Sequence, residues 1–183
     1  MRLILASASP RRRALLERLG LPFEVWPSGV EERLAAGVPA PVLATTLARA
    51  KARDVAAGLR ATAGAPALVL GADTLVVLEG RPLGKPASRD EARAMLHALR
   101  GRTHDVVTGL ALLEAPGARE RVEAVTSRVV MRPYGDAEVE AYVATGEPDD
   151  KAGAYAVQGA GGHLVARVEG CYTNVVGLPL RTT

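Results

Sequence analysis

The start of the chain sets the fold by combining a strand, a loop of small residues and a helix. Residues 2–20 read RLILASASPRRRALLERLG. The apolar run Arg2–Ala6 predicts a buried strand. Ser9 is a suitable N-cap and Pro10 suits a first helical turn, so a helix is predicted over Arg11–Leu19. The glycine that follows is typical of a helix end.

The rest of the chain continues the mixture of strands and helices. A hairpin in the middle of the chain and imperfect alternation predict an α/β fold with a mixed β-sheet and flanking helices, in a single domain over residues 1–183. Gly71–Thr74 is expected to interrupt its strand, Glu79–Pro82 to form a turn and Ala115–Ala118 the hairpin turn. Strands are predicted over Phe23–Trp26, Ala67–Leu78, Thr103–Glu114, Glu120–Met131 and Leu164–Val168, and helices over Val42–Leu59, from the Ser88–Glu91 capping box to about Arg100, and over Asp136–Thr145.

Composition excludes several classes of protein. The 183 residues are 48% hydrophobic and 23% charged, which is incompatible with a disordered chain. No uncharged apolar run approaches the roughly 18 residues of a membrane helix. Cys171 is the only cysteine, so no intramolecular disulfide can form and a reducing, cytoplasmic location is expected.

The charge balance favours an anionic partner. The net charge is +3 and the isoelectric point is about 9.3. Only 3% of the residues are aromatic, whereas surfaces that bind single strands stack bases on several rings. Small phosphorylated ligands therefore fit this composition better than nucleic acid does.

Arginine has almost entirely replaced lysine. The 23 basic residues include only three lysines, and the chain has one glutamine and one asparagine. Such counts are typical of a coding bias that replaces lysine, glutamine and asparagine wherever another residue works. The few that remain are therefore candidates for a specific role. They are Lys51, Lys85, Lys151, Gln158 and Asn174.

The junction between the first strand and the first helix is a candidate phosphate site. Backbone N–H groups and the helix dipole attract anions at such an end. Three consecutive arginines, Arg11–Arg13, oppose the usual preference for acidic residues there, and a bound anion would resolve that conflict. The alternative is a solvated basic turn with an ordinary cap.

Carboxylates supply two further candidates. Asp73 lies in an otherwise apolar β segment, where a buried charge is costly unless it is paired or coordinated. It could hold a divalent ion or activate a water molecule, or it could be a turn residue between two strands. The pair Glu31–Glu32 could bind Mg²⁺ or be simply solvated.

The remaining candidates depend on small motifs. Lys85, in Gly84–Pro86, could reach phosphates or be a surface lysine, and Lys51 could lie on an exposed helix face. Asp149–Gly159 is a Gly-rich segment in which Gln158 could present both a donor and an acceptor to a base, or it could be a tight structural loop. The three histidines lack zinc-binding spacing and are expected to be structural or exposed.

These motifs, in this order and spacing, resemble the Maf family of septum formation proteins. The resemblance extends from Leu3 to Leu180. The motifs that carry it are Leu-Ala-Ser-Ala-Ser-Pro-Arg-Arg at 5–12, Gly-Ala-Asp-Thr at 71–74, Gly-Lys-Pro at 84–86, Gly-Glu-Pro at 146–148, Asp-Lys-Ala-Gly-Ala-Tyr at 150–155, Gln-Gly at 158–159 and Val-Gly-Leu-Pro-Leu at 176–180.

The resemblance implies a nucleoside triphosphate pyrophosphatase, which cuts between the α and β phosphates. It also implies a divalent cation (Mg²⁺ or Mn²⁺), a homodimer, and two lobes around a central cleft similar to inosine triphosphate pyrophosphatases. Asp73 would be the catalytic proton acceptor, and Glu32 and Asp73 would hold the metal. The substrate-binding residues would be Ser7, Arg11, Arg12, Glu32, Lys51, Thr74, Lys85, Lys151 and Gln158.

Three positions favour the branch of the family that hydrolyses dTTP and UTP. That branch has Arg, Thr and Gln where this chain has Arg11, Thr74 and Gln158, with the last two expected to read the base. The sibling branch that acts on 7-methyl-GTP has Trp, Gln and Glu there. A modified nucleotide as substrate, or a non-catalytic regulator of cell division that senses nucleotides, are the alternatives.

Overall fold

A computed structural model describes residues 1–32, 37–61, 65–117 and 119–183, without the side chains of residues 60 and 61. Within those residues one seven-stranded mixed sheet has the order β2-β1-β3-β5-β6-β7, with β4 paired to β3. The strands are β1 (Arg2–Leu5), β2 (Glu24–Val25), β3 (Ala67–Leu78), β4 (Arg81–Leu83), β5 (Thr103–Ala115), β6 (Glu120–Met131) and β7 (Val165–Glu169).

The sheet is parallel at one edge and antiparallel elsewhere. Strand β1 pairs in parallel with β2 and β3, and the other pairings are antiparallel. The predicted mixed sheet with flanking helices is therefore confirmed. The helices are α1 (Pro10–Glu17), α2 (Ala40–Ala61), α3 (Arg89–Leu99), α4 (Asp136–Ala144) and α5 (Tyr172–Val176), and the 3₁₀ segments are Glu147–Asp150, Ala152–Ala154 and Gly159–Leu164.

Helices α1 and α3 both begin at the predicted serine N-caps. The Ser9 hydroxyl accepts a hydrogen bond from the Arg12 amide, and the Ser88 hydroxyl accepts one from the Glu91 amide. Helix α1 ends two residues before the predicted end, and Gly20 adopts the left-handed conformation with φ of 68°.

The prediction of an interrupted strand at Gly71–Thr74 is wrong. Strand β3 runs through all four residues and pairs with β5 from Ala67 to Val77. Pairing along the whole length of a neighbouring strand outweighs the low strand propensity of glycine and aspartate. Asp73 is therefore a buried residue in the middle of a strand, and it does not form a turn.

The other differences from the prediction concern short elements. Strand β4 begins at Arg81, within the turn predicted over residues 79–82, and neither α5 nor the 3₁₀ segments were predicted. Ala118 of the predicted hairpin turn lies outside the described residues. No helix in the described ranges combines the length and apolar character needed to cross a membrane.

The core consists of clusters on both sides of a cavity. One cluster surrounds α3 and α4, and the others lie around α1 and α2. Residues from each cluster, among them Val76, Ala6, Val176 and Leu47, line the cavity. The predicted cleft between two parts of the molecule is thus present.

Helix α2 lies directly on the sheet because two strand residues have no side chain. A Cβ atom at Gly71 would collide with the Ala48 carbonyl oxygen, and one at Gly109 would collide with the backbone of Ala44. Both glycines have ordinary extended conformations, so they are required for the close approach rather than for a turn.

We expect Gly109→Ala to destabilise the protein by about 3 kcal/mol, because the helix backbone would have to move away from the sheet. Gly58→Ala is the matched control, since Gly58 lies inside α2 and a Cβ there meets no described atom within 4 Å. That control should gain about 0.5–1 kcal/mol. Urea unfolding of both variants measures the difference, and equal stabilities would contradict the close packing.

Candidate active site

A cavity of about 1030 Å³ opens where β1, β3, α1 and α2 meet the segment after α4. This volume is at the upper end of the roughly 300–1,000 Å³ typical of small-molecule sites. The cavity is lined by all ten residues that the sequence predicts for the site: Ser7, Arg11, Arg12, Glu32, Lys51, Asp73, Thr74, Lys85, Lys151 and Gln158.

An ion cluster around Lys51 forms the base of this cavity. Lys51 projects from α2, and its Nζ lies 2.6 Å from Oδ1 of Asp73 and 2.5 Å from Oε1 of Glu32. The side chains of Lys51 and Asp73 are only 7% and 4% exposed. Lys51 is therefore not on an exposed helix face, and the two carboxylates are joined through one buried ammonium.

The two carboxylates have different acidities. Burial raises the pKa of Asp73 above its ordinary value, although Lys51 and Arg12 oppose this effect. Burial also acts to raise the pKa of Glu32, but the hydrogen bond from Lys51 and nearby positive charges outweigh it and lower that pKa. Asp73 is consequently the better proton acceptor of the pair.

Arg12 forms a second cationic centre beside this cluster. Its Nε donates to the Gly177 carbonyl at 3.0 Å, and its two terminal nitrogens donate to Ser7 Oγ at 3.2 Å and Thr74 Oγ1 at 3.1 Å. Burial lowers the pKa of Arg12, but the guanidinium remains charged because arginine titrates far above neutrality. In contrast, Arg13 points away from the cavity and pairs with Glu17 on the surface.

Two further lysines reach the cavity from loops. Lys85 is mostly exposed, and its Nζ is 3.8 Å from Oε2 of Glu32. Lys151 is nearly buried and contacts the Asp150 carboxylate and, at 3.3 Å, the Glu147 carbonyl oxygen. Among the described residues, five cationic and three acidic side chains line the cavity, which favours a polyanionic ligand.

Gln158 lies at the exposed rim, on a loop held by Glu147. The Glu147 carboxylate accepts hydrogen bonds from the Tyr142 hydroxyl at 2.9 Å and from the amides of Ala160 and Gly161 at 3.0 and 3.1 Å. The Gln158 side chain is exposed and makes no hydrogen bond to a described residue. Its amide is thus free to meet a ligand.

The described residues offer two carboxylates to a divalent cation. Glu32 and Asp73 provide carboxylate oxygens, the donors that Mg²⁺ prefers, but no group of three acids, histidines or cysteines occurs in the described ranges. Mg²⁺ is commonly held by one or two carboxylates together with substrate phosphates. The residues present therefore fit a cation that is shared with a phosphorylated ligand.

Comparison with known proteins agrees with the sequence motifs. The model of a family described as Maf-like protein matches residues 2–183. The chain belongs to this Maf family. The sequence resemblance to that family is thereby confirmed over nearly the whole chain.

Several relatives are identical to this chain at about half of the aligned positions. A dTTP/UTP pyrophosphatase of Moorella thermoacetica is 56% identical over 98% of this chain and 90% of its own length. The same name is given to relatives from Pelotomaculum thermopropionicum, 49% identical over 97% and 91%, and Anaeromyxobacter, 50% identical over 100% and 86%. A nucleoside-triphosphatase (dITP/XTP pyrophosphatase) structure from Mycobacterium abscessus matches with a TM-score of 0.42 and 18% identity, covering 73% of this chain and 74% of its own.

Sequence reasoning assigned no role in the site to several residues at or behind the cavity wall. Tyr155 lines the cavity, and its hydroxyl lies 2.7 Å from Nε2 of buried His104. Thr108 and Asn174 are also buried and connect to Thr74 and to strands β5 and β6. No short-range pattern marks such contacts, although the rarity of asparagine singled out Asn174.

The buried His104 should make stability depend on pH. Burial lowers its pKa to about 4, whereas in the unfolded chain it protonates near its ordinary value of 6.5. Between those values the unfolded state binds a proton that the folded state does not bind, so the free energy of unfolding decreases as pH falls. The loss from about pH 7 to about pH 4.5 should be roughly 2–3 kcal/mol.

Urea unfolding of wild type and His104→Gln at both pH values isolates this effect, because glutamine cannot titrate. His97→Gln is the control, since the His97 side chain is 43% exposed. The glutamine variant at 104 should lose this part of the pH dependence. The same pH dependence in all three proteins would contradict the assignment.

Proposed function

We propose that this chain is a nucleoside triphosphate pyrophosphatase that hydrolyses dTTP and UTP to the monophosphate and pyrophosphate. The observation that carries the proposal is the meeting of Asp73 and Lys51 with Arg12 in one cavity. Family membership and the common name of its relatives support the same activity. Neither a 7-methyl-GTP pyrophosphatase nor a non-catalytic regulator is favoured by those relatives.

In the proposed reaction, water attacks the α phosphorus and the bond from that phosphorus to the bridging oxygen breaks. Asp73 accepts the proton of the attacking water, and its raised pKa suits a base that must take up a proton near neutrality. The electron pair of the broken bond leaves with pyrophosphate, which carries the additional negative charge.

The cationic side chains would neutralise this charge. A nucleoside triphosphate carries about four negative charges, and Arg12, Lys85 and Lys151 line the same cavity. Lys51 would hold Asp73 in place while contributing its own charge. A divalent cation, when bound by Glu32, Asp73 and phosphate oxygens, would supply further charge neutralisation.

The base would be recognised away from the phosphates. Gln158 can offer both a donor and an acceptor, and its side chain is at the exposed rim of the cavity. Such a site rejects other bases by leaving polar groups unpaired. A cytoplasmic location and a homodimer remain predictions from the sequence.

The proposal is tested by incubating the protein with dTTP, UTP, dCTP, dGTP, dATP and 7-methyl-GTP, each with Mg²⁺ or Mn²⁺. We expect dTTP and UTP to be consumed with equal amounts of monophosphate and pyrophosphate. Free phosphate with nucleoside diphosphate would instead indicate a phosphatase. Binding of dTTP without turnover would indicate a sensor.

Asp73→Asn completes this experiment, with a loss of activity of about 10²–10⁴-fold expected on removal of a general base. Its melting temperature should stay within a few degrees of wild type. The amide oxygen can still accept a hydrogen bond from Lys51, and Glu32 remains as the ionic partner of Lys51. Asp105→Asn is the matched control on half-exposed Asp105 of β5. Full activity of Asp73→Asn would refute the assigned role.

Metal binding should depend on the nucleotide, because Lys51 already contacts both carboxylates. We expect Mn²⁺ alone to leave the melting temperature unchanged, and Mn²⁺ with α,β-imido-dTTP to raise it beyond the effect of the analogue alone. Mn²⁺ without nucleotide should raise the melting temperature of Lys51→Met. It should raise that of Lys85→Met, at an exposed position, much less. Stabilisation of wild type by Mn²⁺ alone would contradict this coupling.

A further inference from the structure

Arg12 is anchored entirely by neutral oxygens in the described part of the chain. Three of its five N–H groups donate to Gly177, Ser7 and Thr74, which leaves two for the cavity that Arg12 lines. No described carboxylate pairs directly with it. The direction in which its free N–H groups point is therefore set by whatever holds those three acceptors.

One of these acceptors belongs to a chain of hydroxyl groups. Thr74 Oγ1 lies 2.9 Å from Thr108 Oγ1, which lies 3.1 Å from the carbonyl oxygen of Asn174. Arginine can only donate and a carbonyl can only accept. The proton order is thus fixed: Arg12 donates to Thr74, Thr74 to Thr108, and Thr108 to the carbonyl of Asn174.

This order affects what Thr74 can do. Its single hydroxyl proton is committed to Thr108, so Thr74 could contact a base only as an acceptor. Its hydroxyl is better suited to holding Arg12 than to reading a base. Base recognition then depends more on Gln158, at the rim.

Asn174 fixes the far end of the same chain. It is fully buried, and its side-chain Nδ2 donates to the Val106 carbonyl and to Ser127 Oγ, both at 3.0 Å. These bonds tie α5 to strands β5 and β6. Because Gly177 directly follows α5, they also hold the carbonyl that accepts from Nε of Arg12.

The Asn174 side chain acts here as a donor. Its Oδ1 is buried and has no hydrogen-bond partner among the described residues. The contacts that the Asn174 side chain makes with described residues are therefore its two donor bonds, to the Val106 carbonyl and to Ser127 Oγ.

We propose that Thr108 and Asn174 are positioning residues that hold Arg12 in the orientation needed to contact the triphosphate. The inference rests on the proposed function, because it assumes that Arg12 binds phosphate. Neither residue is among those that line the cavity. Their effect on turnover is transmitted through Thr74 and through the carbonyl of Gly177.

The test is a double-mutant cycle between positions 108 and 12, measured as kcat and KM for dTTP. Thr108→Val keeps the side-chain shape but breaks the chain, and should lower kcat/KM by about 10–100-fold, the scale expected for a misplaced contact group. Thr108→Ser keeps the hydroxyl and should stay within about 3-fold of wild type. In the Arg12→Ala background, Thr108→Val should have no further effect.

Thr126→Val is the matched control, since Thr126 is exposed on the neighbouring strand β6. Thr74→Val breaks the same chain and serves as a second variant if Thr108→Val does not fold. Equal fold-losses from Thr108→Val with and without Arg12, or full activity of Thr108→Val, would overturn the inference. Undiminished activity of Arg12→Ala would instead refute the role of Arg12 in the proposed function.

Discussion

The ammonium of Lys51, held between Asp73 and Glu32, is the interaction on which the site depends. An ionised carboxylate in the middle of a buried strand is strongly unfavourable without a partner. Lys51 provides that partner from a helix that crosses the sheet, and it can do so because Gly71 and Gly109 allow the helix backbone to approach. The sheet, the helix and the buried Asp73 carboxylate therefore depend on one another.

The cavity separates two kinds of positive charge. Lys51 is neutralised by two carboxylates, and Lys151 is paired with Asp150. Arg12 is bound only to neutral oxygens among the described residues, so its charge is compensated only at longer range, by Asp73 and Glu32. A polyphosphate entering this cavity would meet, at Arg12, a cation that is held by three hydrogen bonds and has no directly paired carboxylate among the described residues.

Local sequence patterns predicted the features that depend on neighbouring residues and missed those that depend on distant ones. Ser9 and Ser88 cap their helices as predicted, since a cap involves residues three positions apart. The continuity of β3 through Asp73 could not be predicted from local propensity, because it depends on pairing with β5 and on a lysine 22 residues away. Thr108 was missed for the same reason, since its partners are 34 and 66 residues away.

The rarity of lysine, glutamine and asparagine indicated residues with distant contacts, which local patterns do not indicate. The three lysines and Gln158 all line the cavity, and Asn174 lies directly behind its wall. At position 51 a physical reason can be given: one nitrogen lies within 2.6 Å of oxygens from two separate carboxylates. A compact ammonium meets both, whereas the planar fork of arginine is shaped to bind one carboxylate with two nitrogens.

At position 174 the side chain must donate twice within a fully buried space, which aspartate cannot do. At positions 51 and 174 the geometry of the donor, and not only its charge, is therefore required.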